Sequence, residues 1–156
     1  MSTYPEQEIR ATYERYVQTR DRVDAGELSW DALAAFFTED AVFIDPAWGR
    51  VEGLPAIRKF LMASMAGLEN WSFPHQWTMV EGNRLVTMWM NRLSGRRPDG
   101  SSYEAPGVSI LEYAGNGKFS FELDLLNMIH VNELAKESGW RPPSTFNLPP
   151  RHPRRW

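Results

Sequence analysis

The chain reads as an α+β protein in which helices pack on one face of a strongly curved, mostly antiparallel sheet and enclose an apolar pocket. Three observations predict this. Apolar residues recur at a spacing near 3.6 as far as about Leu68. From Trp71 onward strict alternation takes over, with turn signals between the alternating runs. The chain of 156 residues also carries seven Trp, eight Phe and five Tyr, large side chains that fill a core or line a cavity.

The first helix is expected from about Pro5 to Ala25, with Ile9, Tyr13, Tyr16, Val17 and Val23 on one side and Glu6, Glu8, Arg10, Glu14 and Arg15 on the other. Gly26 ends it as a C-cap. Ser29 caps a short helix that carries Trp30, Leu33, Phe36 and Phe37. Ala41 to Asp45 is a short strand stopped by Pro46, and its period of two puts Ala41, Phe43 and Asp45 on one face. Gly53 and Pro55 open a third helix with Ile57, Phe60, Leu61, Met65 and Leu68 as its buried stripe.

Trp71, Phe73, His75, Trp77 and Met79 then share one strand face. Glu81-Gly82-Asn83 turns the chain into a strand over 85–93, and the polar segment 96–100 turns it into a strand over 103–113. Ala114-Gly-Asn-Gly117 marks a hairpin into a last long strand from Lys118 to about Asn127, followed by a short helix near 131–137. In that strand Phe119, Phe121, Leu123 and Leu125 fall on one face, and Ser120, Glu122, Asp124 and Leu126 on the other. Gly67, Gly95, Pro106 and Gly107 are places where the sheet could bend or bulge. One folded domain over 1–138 is expected, followed by a proline-rich arm over 139–156 in which Trp140, Phe146 and Trp156 are available for burial. A sheet with one face on the helices leaves its outer face in need of a cover, so a homodimer is expected.

Composition narrows the function classes. A hydrophobic fraction of 42% with 24% charged residues is that of an ordinary globular chain. No apolar run is long enough to span a membrane and no basic-then-apolar leader opens the chain, so a cytoplasmic protein that binds no membrane is expected. With a net charge of -3, and basic residues concentrated only in Arg151-His152-Pro153-Arg154-Arg155, nucleic acid is not an expected partner. There is no cysteine, and His75, His130 and His152 match no metal-ligand spacing. The glycines form no nucleotide-binding loop, so neither metal nor cofactor is expected.

The positive signal is polar residues at apolar positions. Asp45 shares a face with Ala41 and Phe43, either as the first residue of an Asp-Pro turn or as a carboxylate placed to take a proton in an apolar pocket. Asp124 lies on a face that Leu126 and Met128 continue, either solvated or entering the cavity. Tyr16 in the helix stripe and Asn91 among Leu85, Thr87, Trp89 and Leu93 are either satisfied core groups or donors to a ligand oxygen. Phe43, Trp48, Phe60, Met65, Trp89 and Leu126 serve as core or as pocket wall, and His75 is a core histidine or a pocket base.

These elements, in this order, resemble the NTF2-like superfamily, and within it the ketosteroid-isomerase-like and SnoaL-like (polyketide cyclase-like) proteins. The resemblance lies in Glu14-Arg-Tyr-Val17, Phe36-Phe-Thr-Glu-Asp-Ala-Val-Phe-Ile-Asp-Pro46, Gly53-Leu-Pro-Ala-Ile-Arg-Lys-Phe60 and Gly115-Asn-Gly-Lys118. It implies a cone-shaped (cystatin-like) fold over roughly residues 5–130. It also implies Asp45 as the proton-shuttling aspartate and Tyr16 as the donor to an enolate oxygen. Ser109 stands where the isomerases place a second, acidic donor, and Asp124 is similar in position to the late-strand acid of SnoaL-like cyclases. The middle-strand Arg-x-Asp pair of the epoxide hydrolases has no counterpart at Trp89 and Asn91.

The function this implies is cofactor-independent proton transfer, by enolisation, isomerisation or cyclisation, on a small hydrophobic carbonyl compound that is steroid-like or polyketide-like. A non-catalytic protein binding a small hydrophobic molecule is the alternative if Asp45 is tied up in the Pro46 turn and Asp124 is solvated. Epoxide-hydrolase-like or dehydratase-like chemistry is a further alternative, requiring a water held between an acid and a base.

Overall fold

A computed structural model describes residues 3–151. Helix α1 spans Glu6–Asp24, and a 3₁₀ helix over Trp30–Phe36 leads directly into strand β1 (Phe37–Asp45). Strand β2 (Gly49–Glu52) returns antiparallel to β1 and α2 follows over Leu54–Met65. Strands β3 (His75–Glu81), β4 (Arg84–Arg96), β5 (Ser102–Gly115) and β6 (Lys118–Leu126) form a meander that ends in α3 (Met128–Ser138). The six strands make one sheet in the order β2-β1-β6-β5-β4-β3, antiparallel except where β1 runs parallel to β6. None of the described helices is long and apolar enough to cross a membrane.

The curved sheet wraps its inner face around two apolar clusters. Ile9, Leu33, Phe37, Ile57, Leu85, Leu111 and Phe119 fill one end almost completely. Trp71, Leu93, Ala105, Val131 and Leu134 form a second cluster. Each fully buried large side chain contributes about 1.5–3 kcal/mol relative to exposure. A cavity lies between the clusters, and both supply residues to its wall.

The element order matches the sequence reading, and the departures come from strand phase. In β6 the pairing runs Tyr113 to Phe119 and then Glu112 to Phe121, so Ser120 is an extra residue in a bulge. A bulge reverses the alternation beyond it. Phe119 therefore points inward, away from the face of Phe121, Leu123 and Leu125 on which strict alternation puts it, and it is fully buried. In β3 the pairing slips between His75 and Trp77. Trp71 and Phe73 reach the interior, whereas Trp77 and Met79 are exposed on the outer face. Pro74 and the bridge from Ser72 to Arg92 delay the strand to His75 rather than Trp71.

Of the expected bending points, Gly95 has a left-handed φ of 83° beside a register shift in β4. Gly107 has another use: it stays in register, and the Trp89 indole lies so close that an added Cβ would sit 2.4 Å from a ring carbon. β2 was expected only as a turn. The segment after Gly139 has no helix or strand as far as Arg151, yet it packs on the body. Trp140 stacks edge-on against Trp71 at 5.2 Å and against Phe146 at 5.5 Å, and Asn147 Nδ2 donates to the Ala63 carbonyl at 3.0 Å. Trp156 and the basic stretch 152–155 lie outside the described residues.

Candidate active site

The wall of the cavity is written by register. Beyond the Ser120 bulge, Glu122, Asp124 and Leu126 face inward. Across the sheet Asp124 pairs with Ser109, which pairs with Thr87, while on the other side Glu122 pairs with Phe43. Asp45 follows two residues after Phe43, at the end of β1. From α1, Tyr16 and Arg20 lie one turn apart on the helix face turned to the sheet.

These groups form a connected polar chain in an apolar wall. Trp89 Nε1–H donates to Ser109 Oγ at 2.9 Å, and the Ser109 hydroxyl donates to Asp124 Oδ1 at 2.5 Å. The Tyr16 hydroxyl donates to Glu122 Oε2 at 3.2 Å, and Glu122 and Asp124 hydrogen bond to one another. Burial, reinforced by the Asp124 charge, raises the Glu122 carboxyl well above the usual range and leaves it neutral. Burial also raises Asp124 to about 7; the Ser109 hydrogen bond opposes this rise and the Asp45 charge adds to it. Tyr16 is raised further by burial and by both acids, so it keeps its proton. Two carboxyls so placed hold one proton between them over neutral pH.

Asp45 lies in the same wall, but its Oδ1 accepts the backbone N–H groups of Ala47 at 2.8 Å and Trp48 at 2.7 Å. That is the turn contact expected of an Asp-Pro pair, and it commits one carboxylate oxygen. Arg20 is 6% exposed, and its Nε and Nη2 have no hydrogen-bond partner. Asn91 Oδ1 and Trp71 Nε1 are likewise buried without partners.

The cavity has a volume of about 220 Å³. Met65, Leu68 and Trp71 line it together with Trp140, Phe146 and Pro149 of the arm. Tyr16, Phe43, Asp45, Trp48, Phe60, Met65, Trp89, Asn91, Ser109, Asp124 and Leu126 all line it. His75 does not. It lies by an outer depression with Arg10, Tyr13 and Glu14, and its Nε2 is 2.7 Å from Thr78 Oγ1. It pairs with Trp89, but β3 is the edge strand and the His75 ring packs against Tyr13 of α1, 6.0 Å away, rather than reaching the cavity. Burial, then the Arg20 charge, lowers its pKa. Among the described residues no group of three His, Asp or Glu is placed to hold a metal ion.

The sequence reading noted Glu122 without selecting it, and it missed Arg20. Both had a signal. Glu122 shares the phase of Asp124, and Arg20 is four residues after Tyr16 on an otherwise apolar helix stripe. The arm's share of the cavity wall had none, because an irregular segment carries no periodicity.

The sequence profile of the SnoaL-like domain matches residues 13–121, so the chain belongs to this family, within the NTF2-like superfamily. No curated protein matches it in sequence. Among solved structures it is similar to a protein of Jannaschia sp. CCS1 described as a SnoaL-like polyketide cyclase, at 17% identity and TM-score 0.65, covering 91% of this chain and 99% of that one. A protein of Kribbella flavida DSM 17836 described as a ketosteroid isomerase matches at 18% identity and TM-score 0.58, covering 78% of each chain. SalBIII, described as an epoxide hydrolase/cyclase-like enzyme in pyran ring formation in the polyether salinomycin, matches at 17% identity and TM-score 0.60, covering 80% of this chain and 95% of that one. At these identities the likeness establishes the fold, and the differing descriptions leave the activity open.

Proposed function

We propose that this protein catalyses cofactor-independent proton transfer on a compact carbonyl compound, with Asp124 as the group that moves the proton. The observation that carries this reading is the Glu122–Asp124 pair inside an apolar cavity, with Asp124 raised to about 7 by burial and fixed by Ser109. A base whose pKa lies near the working pH serves best both to accept and to return a proton. Neutral Glu122, steadied by the Tyr16 hydroxyl, donates to Asp124 and accommodates its change of charge. Asn91 is placed in the wall to hydrogen bond to a carbonyl or enolate oxygen. Asp45 acts here as a fixed neighbouring charge rather than as the shuttle that the family resemblance implied.

Size argues against a four-ring substrate. An apolar cavity of about 150 Å³ takes up benzene, so 220 Å³ suits one or two fused rings. A polyketide-like fragment of that size is the better fit.

The test is deuterium exchange at the acidic carbon of the bicyclic ketone tetralone, followed by NMR. Wild type should exceed buffer, and Asp124→Asn should lose about a hundredfold or more of the enhancement. Exchange at the buffer rate in wild type, or unchanged in Asp124→Asn, overturns the proposal. The second reading, a ligand-binding protein without chemistry, is favoured by the commitment of Asp45 Oδ1 to the turn. It predicts tetralone binding with no exchange.

A further inference from the structure

We infer that the cavity receives a ligand bearing an ionised acidic oxygen, a carboxylate or an acidic phenolate, and that Arg20 is the residue that receives it. The inference rests on the cavity reading above and names the class of molecule that the same cavity takes.

Arg20 is the unusual residue of the wall. It projects from α1 one turn beyond Tyr16 and one turn before Asp24. Its guanidinium is buried, and a guanidinium cannot shed its charge to escape that burial. Yet no carboxylate of the described residues lies within 4.0 Å of it, and neither Nε nor Nη2 has a hydrogen-bond partner. A buried charge without a partner is costly, and proteins retain one where something else completes it.

The neighbouring acids do not do so. Asp24 Oδ2 accepts the Phe73 backbone N–H at 3.0 Å, and its Oδ1 is itself unpartnered. Glu122 is bound by Tyr16, and Asp124 by Ser109. Arg20 nevertheless acts on Asp24, Glu122 and Asp124 through its field, favouring the ionised form of each. The cavity wall also presents Trp71 Nε1, a further buried donor without an acceptor. The wall thus holds three buried donor atoms without acceptors, Arg20 Nε, Arg20 Nη2 and Trp71 Nε1, against one unpartnered acceptor, Asn91 Oδ1. The complement is an acceptor-rich anion, which the guanidinium fork can bind through two parallel hydrogen bonds. The Asp124 end would then meet the part of the molecule remote from its charge.

The test is binding, so it does not depend on turnover. Naphthoate and its neutral isostere naphthamide are titrated by calorimetry into wild type, Arg20→Met, Arg20→Lys and Asp124→Asn. Wild type should prefer the anion by about tenfold or more, and Arg20→Met should abolish the preference while still binding the amide. Arg20→Lys should keep part of it, because the charge remains and the planar fork is lost. Asp124→Asn should keep the preference or increase it, because a partly ionised carboxylate leaves the same wall, and this separates the inference from the proton-transfer proposal. In wild type the isotope-labelled carboxylate of bound naphthoate should stay ionised to a lower pH than in water, a readout available even if Arg20→Met fails to fold. Equal affinity for acid and amide in wild type, or an unshifted carboxylate in the complex, overturns the inference.

Discussion

Ser109 and Asp124 face each other across β5 and β6, and the serine hydroxyl donates to Asp124 Oδ1 at 2.5 Å while accepting the Trp89 indole N–H. This link restrains an acid that burial drives upward. Removing it in Ser109→Ala should therefore raise Asp124 above about 7. A hydrogen bond to a charged group is worth about 1.5–3 kcal/mol, so the rise should be about one unit or more. Carbon-detected NMR of labelled aspartate measures it, and an unchanged midpoint would remove Ser109 from the site's electrostatics.

The same shift bears on stability. Asp124 goes from 3.8 as an unperturbed group to about 7 in the fold, and Glu122 is raised as well. Between those values the folded chain binds more protons than the unfolded one, so the contribution is fully present below about pH 4 and is lost as pH rises through about 7. Melting followed by circular dichroism should show this pair favouring the fold more at pH 5 than at pH 8. Asp124→Asn should flatten that difference and melt higher than wild type at pH 8. A wild-type Asp124→Asn gap that is independent of pH would contradict the assignment.

The arm lines the cavity through the Trp71–Trp140–Phe146 stack, and Phe146 lies against Gly67, where an added Cβ would fall 2.8 Å from the Phe146 Cα. Phe146→Ala should cost about 1–2 kcal/mol, less than a core phenylalanine because Phe146 is half-buried. It should also speed release of bound naphthoate, seen by stopped-flow fluorescence. An unchanged dissociation rate would show that the arm does not gate the mouth.

The outer face of the sheet is apolar across four strands. Met88 pairs with Val108, Val86 with Ile110, Ile110 with Leu123 and Val108 with Leu125, while Trp77 and Met79 are exposed at its β3 side. Patches of this kind mark interaction sites, and a second copy of the chain is the expected cover. Light scattering should give twice 18.0 kDa for wild type and 18.0 kDa for Ile110→Glu. A monomeric wild type would end that expectation.

Much of the fold was legible because local rules wrote it. The Tyr13–Tyr16 helix stripe, the Asp45-Pro46 strand end and the Gly115-Asn116-Gly117 hairpin each declare themselves within a few residues. The gathering of Tyr16, Asp45, Trp89, Ser109 and Asp124 around one cavity followed from strand parity and from family resemblance together. Arg20, four residues after Tyr16 on the same stripe, was open to the same reasoning.

What only the tertiary structure decided has one physical source, the registers of neighbouring strands. The bulges near His75 and Ser120 exist because β4 and β5 impose their pairing, and a one-residue slip exchanges the two faces of a strand. The slip near His75 turned Trp77 and Met79 to the outer face, and the bulge at Ser120 brought Phe119 onto the same inner face as Glu122. Sequence placed an acid at residue 124. Its pKa near 7 comes from burial in an apolar wall and from the Asp45 charge, opposed by the Ser109 hydrogen bond, and the wall, Asp45 and Ser109 are all distant in the chain.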